Sequence, residues 1–336
     1  MIALSDDRWA TRGRREQSVS SPSVTTRPIC VLGLGLIGGS LVRVVAEAGR
    51  PVWGATASTS TADAARADGY DVEPGLVAAL ERAAGEDALV VLSMPLPHVP
   101  EVLRLVHTHA PACRLTDVVS VKMAVVEMVR RHAPGARYVG GHPMAGTAES
   151  GWAAGSASLF EDARWVVAAD DGLDREVWSD VAELAWTAGA VVVPAGADAH
   201  DQAVGRISHL PHLLAAVLAA VAADGPAGDL ALSLAAGSFA DGTRVAATRP
   251  ELTLAMCEGN REGLLTAVDD ALGRLGAARG SLASTGGLAA TVKAGHQARD
   301  RWEVARDAEP VRVSRDTSLA DLRELGRYGV ALRGWN

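Results

Sequence analysis

The segment spanning residues 140–151, GGHPMAGTAESG, contains a side chain suited to proton transfer, His142. It follows a short apolar run, residues 138–140, that is typical of a strand, and Pro143 disfavours helical geometry at His142. In open parallel α/β sheets, ligands bind beyond the carboxyl ends of the strands. Because a neutral imidazole accepts a proton near pH 7, we predict that His142 is a catalytic base.

A second polar side chain, Ser120, comes at the end of another predicted strand, residues 115–119. We expect its hydroxyl at the same edge of the sheet, where it could bond a substrate oxygen or His142. A structural role is the alternative, because a serine just before a helix that starts near Val121 is a common N-cap. The two roles are compatible, and the sequence leaves both open.

A glycine-rich turn, GLGLIG at residues 33–38, follows the apolar run 29–32 and precedes a predicted helix. This is the context that a dinucleotide-binding loop requires. Gly33 permits a tight turn, Gly35 lets the backbone approach a pyrophosphate, and Gly38 allows the helix to pack closely on the strand. The start of the helix adds free N–H groups and a positive dipole end. The predicted cofactor-binding residues of this turn are Gly33, Gly35, Leu36, Ile37 and Gly38.

The position that holds the ribose of the cofactor departs from the common pattern. An Asp or Glu about 20 residues beyond the glycine turn bonds the ribose 2′-OH when the cofactor is NAD. Here the second predicted strand, residues 52–55, is followed by Thr56 and more hydroxyl side chains, and the next basic residue is Arg66. Thr56 is therefore the predicted ribose-binding residue. NAD is the expected cofactor, and NADP stays open.

Two further motifs carry candidate ligand-binding side chains. SHLPH, residues 208–212, places two imidazoles three residues apart on one face of a helix, and without a third ligand it does not predict a metal site. Residues 239–244 predict a polar turn whose Arg244 either clamps a carboxylate or lies on the surface. His200 and His296 are expected at the surface.

The elements that must position these side chains alternate between strands and helices as far as residue 170. The predicted strands cover residues 29–32, 52–55, 88–93, 115–119, 138–140 and 165–168, and the predicted helices between them cover residues 39–45, 62–68, 75–84, 99–108 and 121–131. This alternation predicts an α/β fold with a doubly wound, Rossmann-type parallel sheet. Beyond residue 170 the pattern is helical apart from residues 191–193, which predicts an all-α domain.

Four regions follow from these patterns: a disordered N-terminal extension (1–27), a dinucleotide-binding Rossmann domain (28–170), a helical substrate and dimerisation domain (171–306) and a peripheral tail (307–336). Within the predicted helix 198–223, residues 217–223 are apolar nearly all round and should be buried on every side. A small helical domain can hardly bury so much helix alone, so we expect a homodimer.

Composition excludes several classes of protein. With 48% hydrophobic and 21% charged residues, the chain can form packed cores, and 336 residues suggest about two domains. A net charge of -8 argues against a nucleic-acid partner. The three cysteines are widely spaced, no signal peptide is evident, and no apolar run reaches the roughly 20 residues of a membrane span. We expect a cytoplasmic protein with no membrane partner and no metal.

In combination, the motifs resemble those of one family, the prephenate and arogenate dehydrogenases of tyrosine biosynthesis. VLGLGLIGGS, DVVSVK, GGHPMAGTAESG, SHLPH and FADGTR occur in the order and approximate spacing of that family, over residues 28–305. The resemblance implies a Rossmann domain followed by a helical domain that forms a homodimer. It also implies NAD or NADP as the cofactor and prephenate or arogenate as the substrate.

By this resemblance, His142 is the catalytic base, and Ser120 bonds both the substrate hydroxyl and His142. The hydroxyl proton passes to His142 while the ring carbon gives a hydride to the nicotinamide; the ring carboxylate then leaves as CO₂ and the ring becomes aromatic. We expect prephenate as the substrate, with arogenate as the alternative. The implied substrate-binding residues are Arg244, which holds a carboxylate, and His209, His212 and Thr147, which line the pocket.

Two other interpretations stay open at this point. Another reductase with Rossmann and helical domains, such as a β-hydroxyacid dehydrogenase or an imine reductase, often uses a lysine on the helical domain, where this chain has Lys293. A regulator that binds NAD without turnover would need neither His142 nor Arg244.

Overall fold

The computed structural model describes residues 27–147, 149–284 and 286–336. Apart from Arg27, the predicted N-terminal extension lies outside the described residues. The Arg27 guanidinium bonds to Asp87 and lies 3.1 Å from the Asp180 carboxylate. These ion pairs fix the start of the described chain on the first domain.

A parallel five-stranded sheet with the strand order β2-β1-β3-β4-β5 forms the first domain. Its strands are β1 (Ile29–Leu32), β2 (Val52–Ala55), β3 (Leu89–Leu92), β4 (Arg114–Asp117) and β5 (Arg137–Tyr138). Its helices are α1 (Leu36–Glu47), α2 (Thr59–Ala67), α3 (Leu76–Gly85), α4 (Val99–His109) and α5 (Met123–His132). The chain places β2 and β3 on opposite sides of β1, so the strand order reverses between β1 and β3. Doubly wound sheets bind their ligands at such a switch point.

Both faces of this sheet are buried, which explains why β1, β2 and β3 are continuous apolar runs. Alternate residues of β1 belong to two different cores. Cys30 and Leu32 pack with α3, α4 and α5, whereas Ile29 and Val31 pack on the side of α1. All four side chains are fully buried.

A second sheet, which the sequence did not predict, packs on the α1 side. It begins with β6 (Gly141–Pro143), β7 (Arg164–Ala168) and β8 (Val191–Ala195), and α6 (Arg175–Thr187) contacts strands of both sheets. The predicted strand 138–140 is therefore wrong in one respect: β5 ends at Tyr138, and His142 lies within β6, paired antiparallel with β7 opposite Val166. A glycine pair, residues 140–141, separates the two strands, and this break was not evident from hydrophobicity alone.

The helical domain follows β8. Its helices are α7 (Ala197–Val204), α8 (Leu210–Ala223), α9 (Gly228–Ser233), α10 (Gly237–Thr243), α11 (Pro250–Gly259), α12 (Arg261–Ser284) and α13 (Ala289–Arg306). A π-helical turn, Gly205–His209, joins α7 to α8. The prediction that residues 217–223 are buried on every side is wrong for a single protomer, because Val217 is 50% exposed and Val221 is 68% exposed. These side chains belong to an apolar surface that faces away from the protomer.

Within the described residues, one helical segment, Ala197–Ala223, is long and apolar enough by length and composition to cross a membrane. Its first part carries His200 and Asp201, whose side chains are buried and hydrogen-bonded against the first domain. This part of the segment is therefore a core element of the folded protomer.

The C-terminal residues are not a peripheral tail. They form β9 (Val311–Val313), α14 (Leu319–Arg327) and β10 (Leu332–Trp335), and β10 pairs with β8 and β9 to complete the second sheet. Leu322 and Leu332 are fully buried in the same core as α6. A few well-spaced apolar anchors were enough to fold this segment. Because α6, β8 and the C-terminal strands share one core, we place the boundary with the helical domain after β8 rather than at residue 170.

Candidate active site

The glycine turn lies at the switch point between β1 and β3. Gly33 has a φ of +101°, and a Cβ atom there would lie 2.2 Å from the carbonyl oxygen of Ser93, which follows β3. A Cβ atom on Gly38 would lie 1.9 Å from the carbonyl oxygen of Gly33. At Gly35, by contrast, a Cβ atom would meet no other atom within 4 Å. Gly33 and Gly38 are thus required by packing, and the backbone at Gly35 borders open space.

The first turn of α1 faces that space. The helix begins at Leu36 and Ile37, no side chain caps it, and no acidic residue lies in its first turn. Its free N–H groups and positive dipole end suit a pyrophosphate. The open position at Gly35 gives the pyrophosphate room, so the residues present fit a dinucleotide.

Hydroxyl groups occupy the position where the ribose of a dinucleotide is bound. Thr56 is half-buried directly after β2, and its Oγ1 accepts a hydrogen bond from the backbone N–H of Ser58 at 3.3 Å. Arg66 donates to the carbonyl oxygens of Val72 and Glu73 at 3.2 and 3.0 Å. Because the guanidinium of Arg66 is used by the backbone, this end of the cleft suits a ribose 2′-OH better than a 2′-phosphate.

A chain of polar side chains holds His142. Its Nδ1 lies 2.8 Å from Nε2 of His200, and Nδ1 of His200 lies 2.8 Å from the Asp201 carboxylate. Asp201 also accepts the backbone N–H groups of Lys122 and Met123, at 2.8 and 2.9 Å, where α5 begins. His200 is 3% exposed, so the expectation that it lies at the surface is wrong. The face of α7 that carries His200 packs against α5 and β6, a contact that helix periodicity does not reveal.

A second buried cluster supports the backbone before His142. Lys122 Nζ donates to the carbonyl oxygen of Gly141 at 2.6 Å and pairs with Asp117, which also accepts the Tyr138 hydroxyl at 2.5 Å. Burial lowers the pKa of Lys122 and raises the pKa of Tyr138. The sequence contained this cluster in the DVVSVK motif, but only Ser120 was singled out there. The cluster fixes the peptide that leads into the candidate base.

The electrostatic surroundings keep the His142 ring neutral. Burial lowers its pKa well below the ordinary value, and His200, Lys122 and His209 act in the same direction. Burial also lowers the pKa of His200, against the opposing effect of Asp201. For Asp201, burial raises the pKa, but the hydrogen bonds from His200 and from two backbone N–H groups lower it overall. At neutral pH the arrangement is two neutral imidazoles and one carboxylate.

Ser120 is half-buried in the turn between β4 and α5. Among the described residues no hydrogen bond joins Ser120 to His142, whose Nδ1 bonds to His200 instead. The structural alternative is also wrong, because α5 begins at Met123 and Asp201 accepts its first N–H. Ser120 is left as a candidate ligand for the substrate.

The two imidazoles of the SHLPH motif have different surroundings. His209 is fully buried, and its Nδ1 lies 3.1 Å from Asn260 Nδ2, which also bonds the carbonyl oxygen of Asp201. Its Nε2 has no hydrogen-bond partner in the described part of the chain, and burial lowers its pKa to about 4. His212 is half-buried, with Nδ1 2.8 Å from the carbonyl oxygen of Ser208. Within the described ranges no cluster of three His, Cys, Asp or Glu side chains could hold a metal ion.

Arg244 is exposed on the helical domain. The segment expected as a turn is helix α10, followed by a 3₁₀ turn that starts at Arg244. Gly242 packs on α8, where a Cβ atom would lie 3.1 Å from Leu218 Cδ2. Along α8, Leu218 lies more than two helical turns beyond His209, which is roughly 13 Å along the helix axis. In the described part of one protomer no hydrogen bond or ion pair joins Arg244 to His142.

Thr147 is exposed in the loop that follows β6. Its Oγ1 accepts a hydrogen bond from the backbone N–H of Glu149 at 3.2 Å. The structure therefore brings together His142 and His209 and leaves Ser120 and Thr147 on adjoining segments, while Arg244 is exposed on the helical domain. Sequence analysis missed His200, Asp201, Asn260 and the cluster around Lys122.

The glycine turn follows β1, and the segment carrying His142 follows β5, so both come after the carboxyl ends of strands of the parallel sheet. Together they define a dinucleotide-dependent dehydrogenase. Residues 43–194 match the family model described as the prephenate dehydrogenase nucleotide-binding domain. Residues 196–285 match the prephenate dehydrogenase dimerization domain. The chain belongs to the prephenate dehydrogenase family, and it is a dehydrogenase with a nucleotide-binding domain. The predicted fold class, a Rossmann-type sheet followed by a helical domain, is confirmed.

Individual relatives agree with this assignment. A Corynebacterium glutamicum structure assigned as a prephenate dehydrogenase is 44% identical, with a TM-score of 0.86, covering 92% of this chain and 99% of that one. Prephenate dehydrogenase from Bacillus subtilis is 30% identical over 72% of this chain and 66% of its own length. Synechocystis arogenate dehydrogenase is 29% identical, with a TM-score of 0.71, covering 82% of this chain and 99% of that one.

The second family match also accounts for the apolar surface of the helical domain. That domain is a dimerization domain, and the chain forms a homodimer. Side chains such as Val217, Val221 and Leu234 are 50%, 68% and 71% exposed in one protomer. Exposed apolar side chains of this kind mark protein–protein interfaces, in agreement with a dimerization domain.

Proposed function

We propose that this dehydrogenase converts prephenate to 4-hydroxyphenylpyruvate and CO₂ with NAD as the hydride acceptor. The observation that carries the proposal is the position of His142. Its Nδ1 is held by His200, which leaves Nε2 for a substrate at the edge of the sheet where the glycine turn lies. The names of the relatives at 44% and 30% identity support prephenate as the substrate.

His142 carries the one proton that the reaction moves. Its Nε2 accepts the proton of the substrate hydroxyl as the C–O bond becomes a carbonyl. NAD, when bound, supplies the acceptor for the hydride that leaves the same ring carbon. The C–C bond to the ring carboxylate then breaks and CO₂ leaves. The electron pair of that bond completes the aromatic ring, and the former carbonyl oxygen takes the proton back from His142 to become the phenol hydroxyl. Because aromatisation drives the reaction, the protein mainly has to position the reactants and hold one proton.

The other candidate residues have binding roles in this proposal. Ser120 bonds the substrate hydroxyl, and Arg244 holds a substrate carboxylate. Thr56 bonds the cofactor ribose, and Gly33, Gly35, Leu36, Ile37 and Gly38 cradle its pyrophosphate. Pocket-lining roles fall to His209, His212 and Thr147.

Arogenate is the second candidate substrate, because the Synechocystis relative at 29% identity is an arogenate dehydrogenase. It differs from prephenate in carrying an amino acid side chain in place of a keto acid. We also propose that the enzyme works in the cytoplasm, where tyrosine biosynthesis would have its cofactor. NADP is the second candidate cofactor, since no acidic residue occupies the position of Thr56.

One assay tests the function and the alternatives together. The purified homodimer is incubated with prephenate or arogenate and with NAD or NADP, in four combinations, and the reduced cofactor is followed by absorbance. We expect the largest kcat/KM with prephenate and NAD. A larger kcat/KM with arogenate would replace the substrate assignment, and no turnover in any combination would contradict the proposed function.

A further inference from the structure

We propose that His200 and Asp201 are positioning residues that act through His142, fixing its ring and its tautomer so that Nε2 is unprotonated when substrate binds. The inference rests on the proposed function, because that function gives His142 the task of accepting the substrate proton. Neither residue was a candidate in the sequence motifs. Both are revealed by the packing of α7 against β6 and α5.

The hydrogen bonds that start at the Asp201 carboxylate determine the tautomers of both His200 and His142. The ionised Asp201 has no proton and can only accept, so Nδ1 of His200, 2.8 Å away, must carry a proton. Nε2 of the neutral His200 is then an acceptor, and the atom 2.8 Å from it, Nδ1 of His142, must be the donor. A neutral His142 with its proton on Nδ1 has an unprotonated Nε2. That is the nitrogen that has to accept the substrate proton.

The carboxylate that starts this chain is itself held firmly. Asp201 accepts two backbone N–H groups at the first turn of α5, where the helix dipole stabilises a negative charge. It also lines a cavity of about 240 Å³ together with Asp198, Gln202 and Asn260. The Asp201 side chain therefore has fixed donors on both oxygens.

The same chain stabilises His142 after it has gained the proton. The bond from its Nδ1–H to His200 then becomes charge-assisted, which makes it shorter and stronger. Asp201 lies one ring further and balances the new charge. Because this stabilisation grows as the proton arrives, its loss should lower kcat rather than raise KM.

Two variants of His200 separate orientation from bulk packing. His200→Phe fills the same space without a hydrogen bond, whereas the amide oxygen of His200→Gln can still accept the proton of His142 Nδ1. We expect His200→Phe to lower kcat about 10²- to 10⁴-fold, the range for a general base deprived of its support. Substrate KM and the dinucleotide Kd should stay within about threefold. We expect kcat of His200→Gln to be at least tenfold higher than kcat of His200→Phe.

A double-mutant cycle with His142→Asn distinguishes a positioning role from a structural one. If His200 acts through His142, adding His200→Phe to His142→Asn lowers kcat no further. Equal kcat for the Gln and Phe variants, or a full additional loss in the double variant, would overturn the inference. If His142→Asn alone kept normal turnover, the proposed function of His142 would fail instead. The exposed His107 on α4 provides the control, and His107→Phe should leave kcat unchanged.

Discussion

A Cβ atom on Gly38 would lie 1.9 Å from the carbonyl oxygen of Gly33, whereas a Cβ atom on Gly35 would meet no other atom within 4 Å. Two glycines of one turn are therefore needed for different reasons. Gly38 is needed for α1 to pack on the end of β1. Gly35 has no such constraint from the protein, which leaves a ligand as the reason for its lack of a side chain.

This difference predicts opposite phenotypes for two alanine substitutions. Gly35→Ala should leave the melting temperature within about 2 °C but weaken NAD binding at least tenfold, because its methyl group occupies the pyrophosphate site. Gly38→Ala should destabilise the fold by about 1–3 kcal/mol or more through overpacking. Thermal unfolding and dinucleotide titration measure the two effects. Normal NAD affinity in Gly35→Ala would place the pyrophosphate elsewhere.

Arg244 is exposed and has no ion pair among the described residues, so its guanidinium is free to bind a carboxylate. Arg244→Gln should raise the KM for substrate about 10- to 100-fold, because a charge-assisted bond acts in the ground and transition states alike. The expected change in kcat is small. Steady-state kinetics test this, with the exposed Arg104 on α4 changed to Gln as the control. An unchanged KM would show that Arg244 is a surface residue that does not bind the substrate.

The buried imidazoles predict how stability depends on pH. Burial lowers the pKa of His209 to about 4, and it lowers the pKa of His142 and His200 as well. Between the unfolded pKa of about 6.5 and the lowered folded values, the unfolded chain binds more protons, so stability falls as the pH falls. Each imidazole contributes at most about 1.4 kcal/mol per pH unit to this slope.

Denaturant unfolding at several pH values between 4 and 7 measures that slope. His209→Asn should make the slope shallower by up to one proton, because the asparagine keeps an acceptor for Asn260 but does not titrate. An equal slope in wild type and His209→Asn would show that His209 titrates normally in the folded protein.

Local patterns predicted the first domain well because its elements are local. The apolar runs of β1 and β3, and the glycine turn after β1, are set by residues next to each other in the chain. The switch from β5 to β6 depends on a contact between Gly141 and the carbonyl oxygen of Asp117, where a Cβ atom would be 2.7 Å away. Such a contact between distant segments leaves no periodicity in the sequence.

Long-range contacts also explain what the site analysis missed. His142 was evident because its motif surrounds it, but its partner His200 comes 58 residues later, at 2.8 Å in space. His200 is expected at the surface from its sequence because α7 is polar. The residue pattern of α7 does not show that this helix packs against α5. The C-terminal strands were missed for the same reason, since Leu332 finds its partner in Val192 of β8.

The kinetics of His142→Asn test the central claim most directly. Asparagine keeps an amide nitrogen near the position of Nδ1 but cannot accept the substrate proton. With prephenate and NAD at saturation, kcat should fall about 10²- to 10⁴-fold while both KM values stay within about threefold. A kcat within threefold of wild type in the folded homodimer would show that another group takes the proton.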